Sequence, residues 1–132
     1  MTESEPYSVL LLDDDQFLLD MYAKKFSDEG YEVQSCQSVP EAVQILEKGF
    51  PADAIVFDLT MPQDDGFALL QLLREKQLSP AAVKVVLTNQ SSEEEEAKTK
   101  ALGADAYIVK ATMIPSEVFA TINGMVASRR GA

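Results

Sequence analysis

Five short apolar runs punctuate the chain, and each is followed by a segment whose apolar positions repeat at helical spacing. The runs are SVLLL (8–12), YEVQSC (31–36), DAIVF (53–57), VKVVL (83–87) and AYIV (106–109). All are short and bounded by polar or turn-forming residues, as strands are. After the first run, Leu18, Met21, Tyr22 and Phe26 fall on one helical face. After the second, Ser38 and Glu41 have the spacing of a capping box, with Val39, Ala42, Val43 and Leu46 turned inward. The third run leads through a Met-Pro turn into FALLQLLREK. The fourth precedes SSEEEEAKTKAL, where a serine cap and first-turn glutamates suit the helix dipole. The fifth precedes PSEVFATINGMVAS, with Pro115 near the first helical position and Glu117 just behind it.

Strand-helix alternation repeated five times predicts a parallel sheet with helices on both faces. Runs one, three and four are almost wholly apolar, as central strands are, whereas YEVQSC alternates and belongs at an edge. The predicted architecture is α/β, a flavodoxin-like (βα)5 three-layer sandwich with strand order 2-1-3-4-5. Its binding crevice lies at the carboxyl ends of strands one and three. A chain of 132 residues suits one core and one domain, here 7–127. Residues 1–6 and 128–132 are expected to be flexible termini.

Composition narrows the chemistry. The net charge is −11, which argues against a nucleic-acid surface, since that needs clustered Lys and Arg. There is no histidine, so any histidine base, ligand or phosphocarrier within the chain is excluded. The single cysteine, Cys36, cannot form an internal disulfide and reads as a small apolar residue. No run approaches the roughly 20 apolar residues that cross a bilayer, and MTESEPY is not a secretory signal. A cytoplasmic protein without membrane contact is expected.

Asp13-Asp14-Asp15 ends the first run and Asp58 ends the third, so the predicted sheet order brings at least three carboxylates together. Like charges about 4 Å apart repel by roughly 4 kcal/mol per pair at an effective dielectric near 20. Such a cluster persists if it shares protons or binds a cation. Oxygen ligands alone point to Mg²⁺, with Mn²⁺ as the alternative. Each part has a plainer reading when taken singly. DDD can be a helix cap, Asp58 a turn residue, Thr88 an approach to a cap, Lys110 a solvated charge and Tyr107 a core residue. What joins them is position: all five features sit at or near the carboxyl ends of the predicted strands.

These residues and their spacing make the chain resemble a receiver domain of the two-component response-regulator family over roughly residues 7–127. The family's acidic pair is matched by Asp13 and Asp14. Its D-x-x-M-P-x-x-D-G motif is matched by Asp58, Met61, Pro62, Asp65 and Gly66. Its strand-four Ser/Thr, strand-five aromatic and strand-five Lys are matched by Thr88, Tyr107 and Lys110. The resemblance implies that Asp58 accepts a phosphoryl group from a phosphohistidine on a sensor histidine kinase or histidine phosphotransfer protein. It implies Mg²⁺ held by Asp14, Asp58 and the backbone carbonyl of Thr60, with Asp13 acting directly or through water. Lys110 and Thr88 would contact the phosphoryl group. Thr88 and Tyr107 would relay the change to a face formed by the fourth helix, fifth strand and fifth helix, where a downstream protein binds. The protein would then be a switch and not an enzyme, apart from catalysing its own phosphorylation and dephosphorylation.

The chain departs from the family pattern at two places. Asn89 replaces a small residue after Thr88, and Ala111 replaces the proline after Lys110. A cis peptide before alanine costs roughly 2.5–4 kcal/mol against about 0.5–1 for proline, so the 110–111 peptide is predicted to be trans. Thr60 and Gln90 flank the site and are expected to tune phosphate lifetime. Asp15 reads as a first-turn acid and not as a third ligand. Two rival readings remain. A non-catalytic receiver-fold interaction module would be free to lose the acids, Thr88 or Lys110, yet all are present. A phosphohydrolase of the haloacid-dehalogenase type needs a second aspartate where Thr60 stands.

Overall fold

The computed structural model describes residues 6–59, 66–89 and 92–130. In chain order the elements are β1 (Ser8–Leu12), α1 (Gln16–Asp28), β2 (Glu32–Cys36), α2 (Val39–Glu47), β3 (Ala54–Phe57) and α3 (Gly66–Glu75), then β4 (Val83–Thr88), α4 (Glu93–Ala101), β5 (Ala106–Val109), a 3-10 turn (Lys110–Thr112) and α5 (Pro115–Arg129). The strands form one parallel sheet in the order β2-β1-β3-β4-β5. This is the predicted flavodoxin-like order, with β2 at an edge.

Strand periodicity sorts the core into two layers. Leu10, Leu12, Ile55, Phe57 and Val86 pack against α2 and α3 on one face. Val9, Leu11, Val56, Val85, Leu87 and Ile108 pack against α1 and α5 on the other. Fully burying side chains of this kind stabilises the fold by roughly 1.5–3 kcal/mol each. Both faces of β1, β3 and β4 are therefore committed, which explains their near-continuous apolar runs.

The helix starts follow local chemistry. Ser38 Oγ accepts the Glu41 N–H at 3.3 Å, and Val39, Ala42, Val43 and Leu46 are buried as expected. The Glu41 carboxylate accepts from the Gln37 N–H, one residue beyond the usual capping-box partner. Ser92 caps α4 through the Glu95 N–H, and Glu117 accepts the Ile114 N–H ahead of Pro115 at the start of α5. Three expectations shift. The buried face of α1 is Leu19, Tyr22 and Phe26, with Leu18 and Met21 only partly covered, because i, i+3, i+7 spacing centres the stripe one residue later. Asp15 is the α1 N-cap, accepting from the Leu18 N–H, and not a first-turn acid. The α5 helix runs through Arg129, into the segment expected to be flexible.

That last difference has a physical cause at the amino-terminal edge of the sheet. Asp53 accepts the Ser8 N–H at 2.9 Å and Asp105 accepts the Lys84 N–H at 2.8 Å, so each aspartate closes the start of a neighbouring strand. Arg129 pairs with Asp105 at 2.9 Å and Arg130 with Asp53 at 3.4 Å. Arg130 also lies 4.9 Å over the Tyr7 ring. The end of α5 is thus tied to both strand starts. Cys36 closes β2 as a buried apolar residue, its thiol pushed up to about 12 mainly by burial.

Candidate functional site

The register determines what meets at the carboxyl end of the sheet. Leu12 of β1 pairs with Phe57 of β3, so the next residues, Asp13 and Asp58, leave adjacent strands side by side. The Asp58 N–H donates to the Leu12 carbonyl at 3.1 Å and the Asp13 N–H to the Cys36 carbonyl at 3.3 Å, which extends the ladder to these positions. Both carboxylates are buried, whereas Asp14 beside them is exposed. One oxygen from each of Asp13, Asp14 and Asp58 lies within 4.8 Å of the others. Gly66 explains how α3 starts so close by. A Cβ there would lie 2.8 Å from the Asp58 carbonyl oxygen and 2.9 Å from the Leu59 side chain.

Lys110 enters from β5. Its ammonium donates to Asp13 Oδ2 at 2.7 Å and to Asp58 Oδ2 at 3.2 Å, with all three side chains under 10% exposed. Lys110 was expected at a phosphoryl group, and its contact with Asp13 was not foreseen. The peptide that follows it is trans, as predicted, since no cis bond occurs among the described residues. Burial would lower the Lys110 pKa, but the hydrogen bond it donates to Asp13 and the charges of Asp58 and Asp13 outweigh it and hold the ammonium above its usual range. Burial pushes the Asp13 carboxyl up, against the pull of Lys110 and the Asp15 N–H, and the Asp58 charge adds to the rise. Acid and base in one contact are both raised. At 2.7 Å the contact is an ion pair, the Asp13 pKa is raised first by burial, and the Lys110 ammonium does not offset all three carboxylates of the cluster.

This deficit bears on a cation. Three carboxylates and one ammonium leave two negative charges, which a divalent ion would neutralise. The donors are all carboxylate oxygens, the set that suits Mg²⁺. One oxygen of each carboxylate lies within 4.8 Å of the others, so the three could converge on a single ion. The residues present fit the metal.

Thr88 ends β4 fully buried, and Tyr107 lies partly buried on β5. The register pairs Val86 with Tyr107 and Thr88 with Val109. Thr88 and Tyr107 therefore lie on one sheet face, a single register step apart. Thr60, Met61, Pro62, Asp65 and Gln90 lie outside the described residues. Two features were missed from sequence. Phe17 is 76% exposed just after the acidic trio, and Ile114 is 61% exposed shortly after Lys110. Phe17 lies in the first turn of α1 and Ile114 immediately before α5, so both follow the carboxyl ends of strands.

A family model for the response regulator receiver domain matches residues 9–123. The chain belongs to that family. The response regulator SaeR of Staphylococcus aureus (strain USA300) is 30% identical over 118 residues, covering 89% of this chain and 50% of the relative. The chain spans about half the length of the curated relatives it matches. Among solved structures, the CheY-like receiver domain protein of Methanospirillum hungatei JF-1 superposes with a TM-score of 0.86 at 27% identity, covering 96% of this chain and 98% of that one. The chemotaxis protein CheY4 of Vibrio cholerae gives 0.83 at 28% identity, covering 89% and 97%. The acidic pocket of this receiver domain stands at the carboxyl ends of β1 and β3, consistent with a phospho-acceptor site. No helix among the described residues is long and apolar enough to cross a membrane.

Proposed function

We propose that Asp58 is the phospho-acceptor of this receiver domain, charged by the phosphohistidine of a sensor histidine kinase or histidine phosphotransfer protein in the cytoplasm. One observation carries the assignment: Asp58 is a buried carboxylate at the tip of β3 that touches Lys110 and shares a pocket with Asp13 and Asp14. An Asp58 oxygen forms the new O–P bond as the donor's P–N bond breaks, and the electron pair leaves on the imidazole nitrogen. Asp14 and Asp58, with Asp13 directly or through water, would hold Mg²⁺, or Mn²⁺ in its place, and the Thr60 carbonyl, which lies outside the described residues, is the further ligand expected from the sequence. When bound, the ion neutralises carboxylate and phosphoryl charge, the main requirement of phosphoryl transfer. Lys110 exchanges its contact with the Asp58 carboxylate for one with a phosphoryl oxygen, and the Thr88 hydroxyl donates to another. Displacement of Thr88 opens space for Tyr107, which alters the face formed by α4, β5 and α5. Four glutamates in the first turn of α4 make that face acidic, and the downstream partner presents basic residues to it. On this reading the same pocket would catalyse the protein's own phosphorylation from small phosphodonors and its own dephosphorylation.

The donor protein docks on the rim where Phe17 and Ile114 stand exposed. Replacing both by aspartate is expected to slow phosphotransfer from a phosphohistidine protein at least tenfold, while uptake from a small acyl phosphate stays within twofold. Equal loss with both donors would place these residues in the chemistry and not in docking. The function itself is tested by incubating the protein with a radiolabelled acyl phosphate and Mg²⁺. Uptake approaching one phosphoryl group per chain, abolished by a chelator, is expected. No uptake under these conditions would leave a non-catalytic interaction module.

A further inference from the structure

The α4 helix is weakly held. Of its nine residues, EEEEAKTKA, only Thr99 is buried, and a helix this polar has little apolar surface with which to dock. Polar contacts attach it instead. Near its carboxyl end, Arg74 donates to the Ala101 carbonyl at 3.2 Å and Lys98 lies 4.3 Å over the Phe67 ring. In its first turn, the Tyr107 hydroxyl donates to Glu95 Oε1 at 3.3 Å. The glutamates of that turn are not equivalent. Glu93 and Glu94 are exposed, and Glu96 pairs with Lys100 at 3.1 Å. Glu95 is half-buried, and its backbone N–H is held by the Ser92 cap at 3.2 Å, so its position is fixed.

We propose that Glu95 is a positioning residue for the switch, holding Tyr107 against the first turn of α4 in the unphosphorylated protein and thereby lowering the basal population of the signalling state. The proposal rests on Tyr107 acting as the relay described above. Turning the ring toward the space beside Thr88 breaks the contact with Glu95 and frees the first turn of α4 in the same step. Burial, then the Glu95 charge, keep the phenol above its ordinary pKa, so the hydroxyl remains a donor. The contact joins two elements that receive the signal, and it opposes phosphorylation until the gain at the active site exceeds it. Coupling between sites of this kind starts at about fivefold.

The test uses beryllofluoride with Mg²⁺ as a phosphoryl mimic and fluorotyrosine-labelled protein, with the Tyr107 signal assigned through Tyr107→Phe. Glu95→Ala is expected to move the mimic-free Tyr107 resonance toward its mimic-saturated position and to tighten apparent beryllofluoride affinity about fivefold. Glu95→Gln keeps an acceptor oxygen and should stay within about twofold of wild type. Glu94→Ala removes the same charge outside the contact and should have little effect. In a Tyr107→Phe background, Glu95→Ala should change nothing further. Equal effects of Glu95→Ala and Glu94→Ala, or a Glu95 effect that survives Tyr107→Phe, would overturn the latch alone. A wild-type Tyr107 resonance unmoved by beryllofluoride would overturn the relay reading, and the latch with it.

Discussion

Mg²⁺ at about a hundredfold above its Kd raises the stability of the protein by roughly 2.7 kcal/mol, the linkage expected for one site. For a domain of this size that is a rise of about 8 °C in Tm. The cause is the charge imbalance of the pocket, where Asp13, Asp14 and Asp58 cluster and the Lys110 ammonium pairs with Asp13 and Asp58. Asp14→Asn removes one ligand and one charge and is expected to abolish most of the gain. In metal-free protein the same change relieves repulsion and raises Tm slightly, by about 2 °C, because Asp14 is exposed and its charge is screened. Thermal melts with and without Mg²⁺ check both signs. An equal Mg²⁺ response in wild type and Asp14→Asn would remove the metal assignment.

Lys110→Ala acts in the opposite sense on metal and destabilises the metal-free fold. Its ammonium is buried between Asp13 and Asp58, and removing one partner of a buried ion pair costs about 3 kcal/mol or more. The expected loss in Tm is roughly 10 °C. Mg²⁺ then has no competing cation, so its stabilising effect in this variant exceeds that in wild type. Phosphorylation still falls on the order of 10²-fold, as when an oriented electrostatic contact to a transferring group is lost. Melts and initial rates with a small phosphodonor measure the two effects separately. A variant that keeps wild-type rates would assign Lys110 to stability alone.

Much of this was legible in the sequence because strands buried on both faces leave an unmistakable mark. SVLLL, DAIVF and VKVVL are almost wholly apolar since each strand contacts helices on two sides, and YEVQSC alternates since β2 lies at the edge. Sheet order then brings Asp13 to Asp58, because polar residues that end adjacent central strands meet at one end of the sheet. The trans peptide before Ala111 followed from the cost of cis alanine. What escaped depends on how elements dock. The i, i+3, i+7 stripe of α1 was misplaced because FLLDMY offers apolar residues on more than one face, and for the same reason the exposure of Phe17 was hidden. The contacts of Lys110 with Asp13 and of Tyr107 with Glu95 join residues on separate elements, set by helix and loop placement that no local spacing encodes. The arginines ending α5 looked like a solvated tail, and only the folded sheet shows Asp53 and Asp105 waiting at its opposite edge.

The central claim is that Asp58 carries the phosphoryl group. Peptide mapping by mass spectrometry after reaction with a small acyl phosphate and Mg²⁺ locates that group directly. The expected result is a single modified peptide containing Asp58, with label released by hydroxylamine as an acyl phosphate is, and no modification in Asp58→Asn. Phosphate on a serine or threonine, stable to hydroxylamine and retained in Asp58→Asn, would contradict the account.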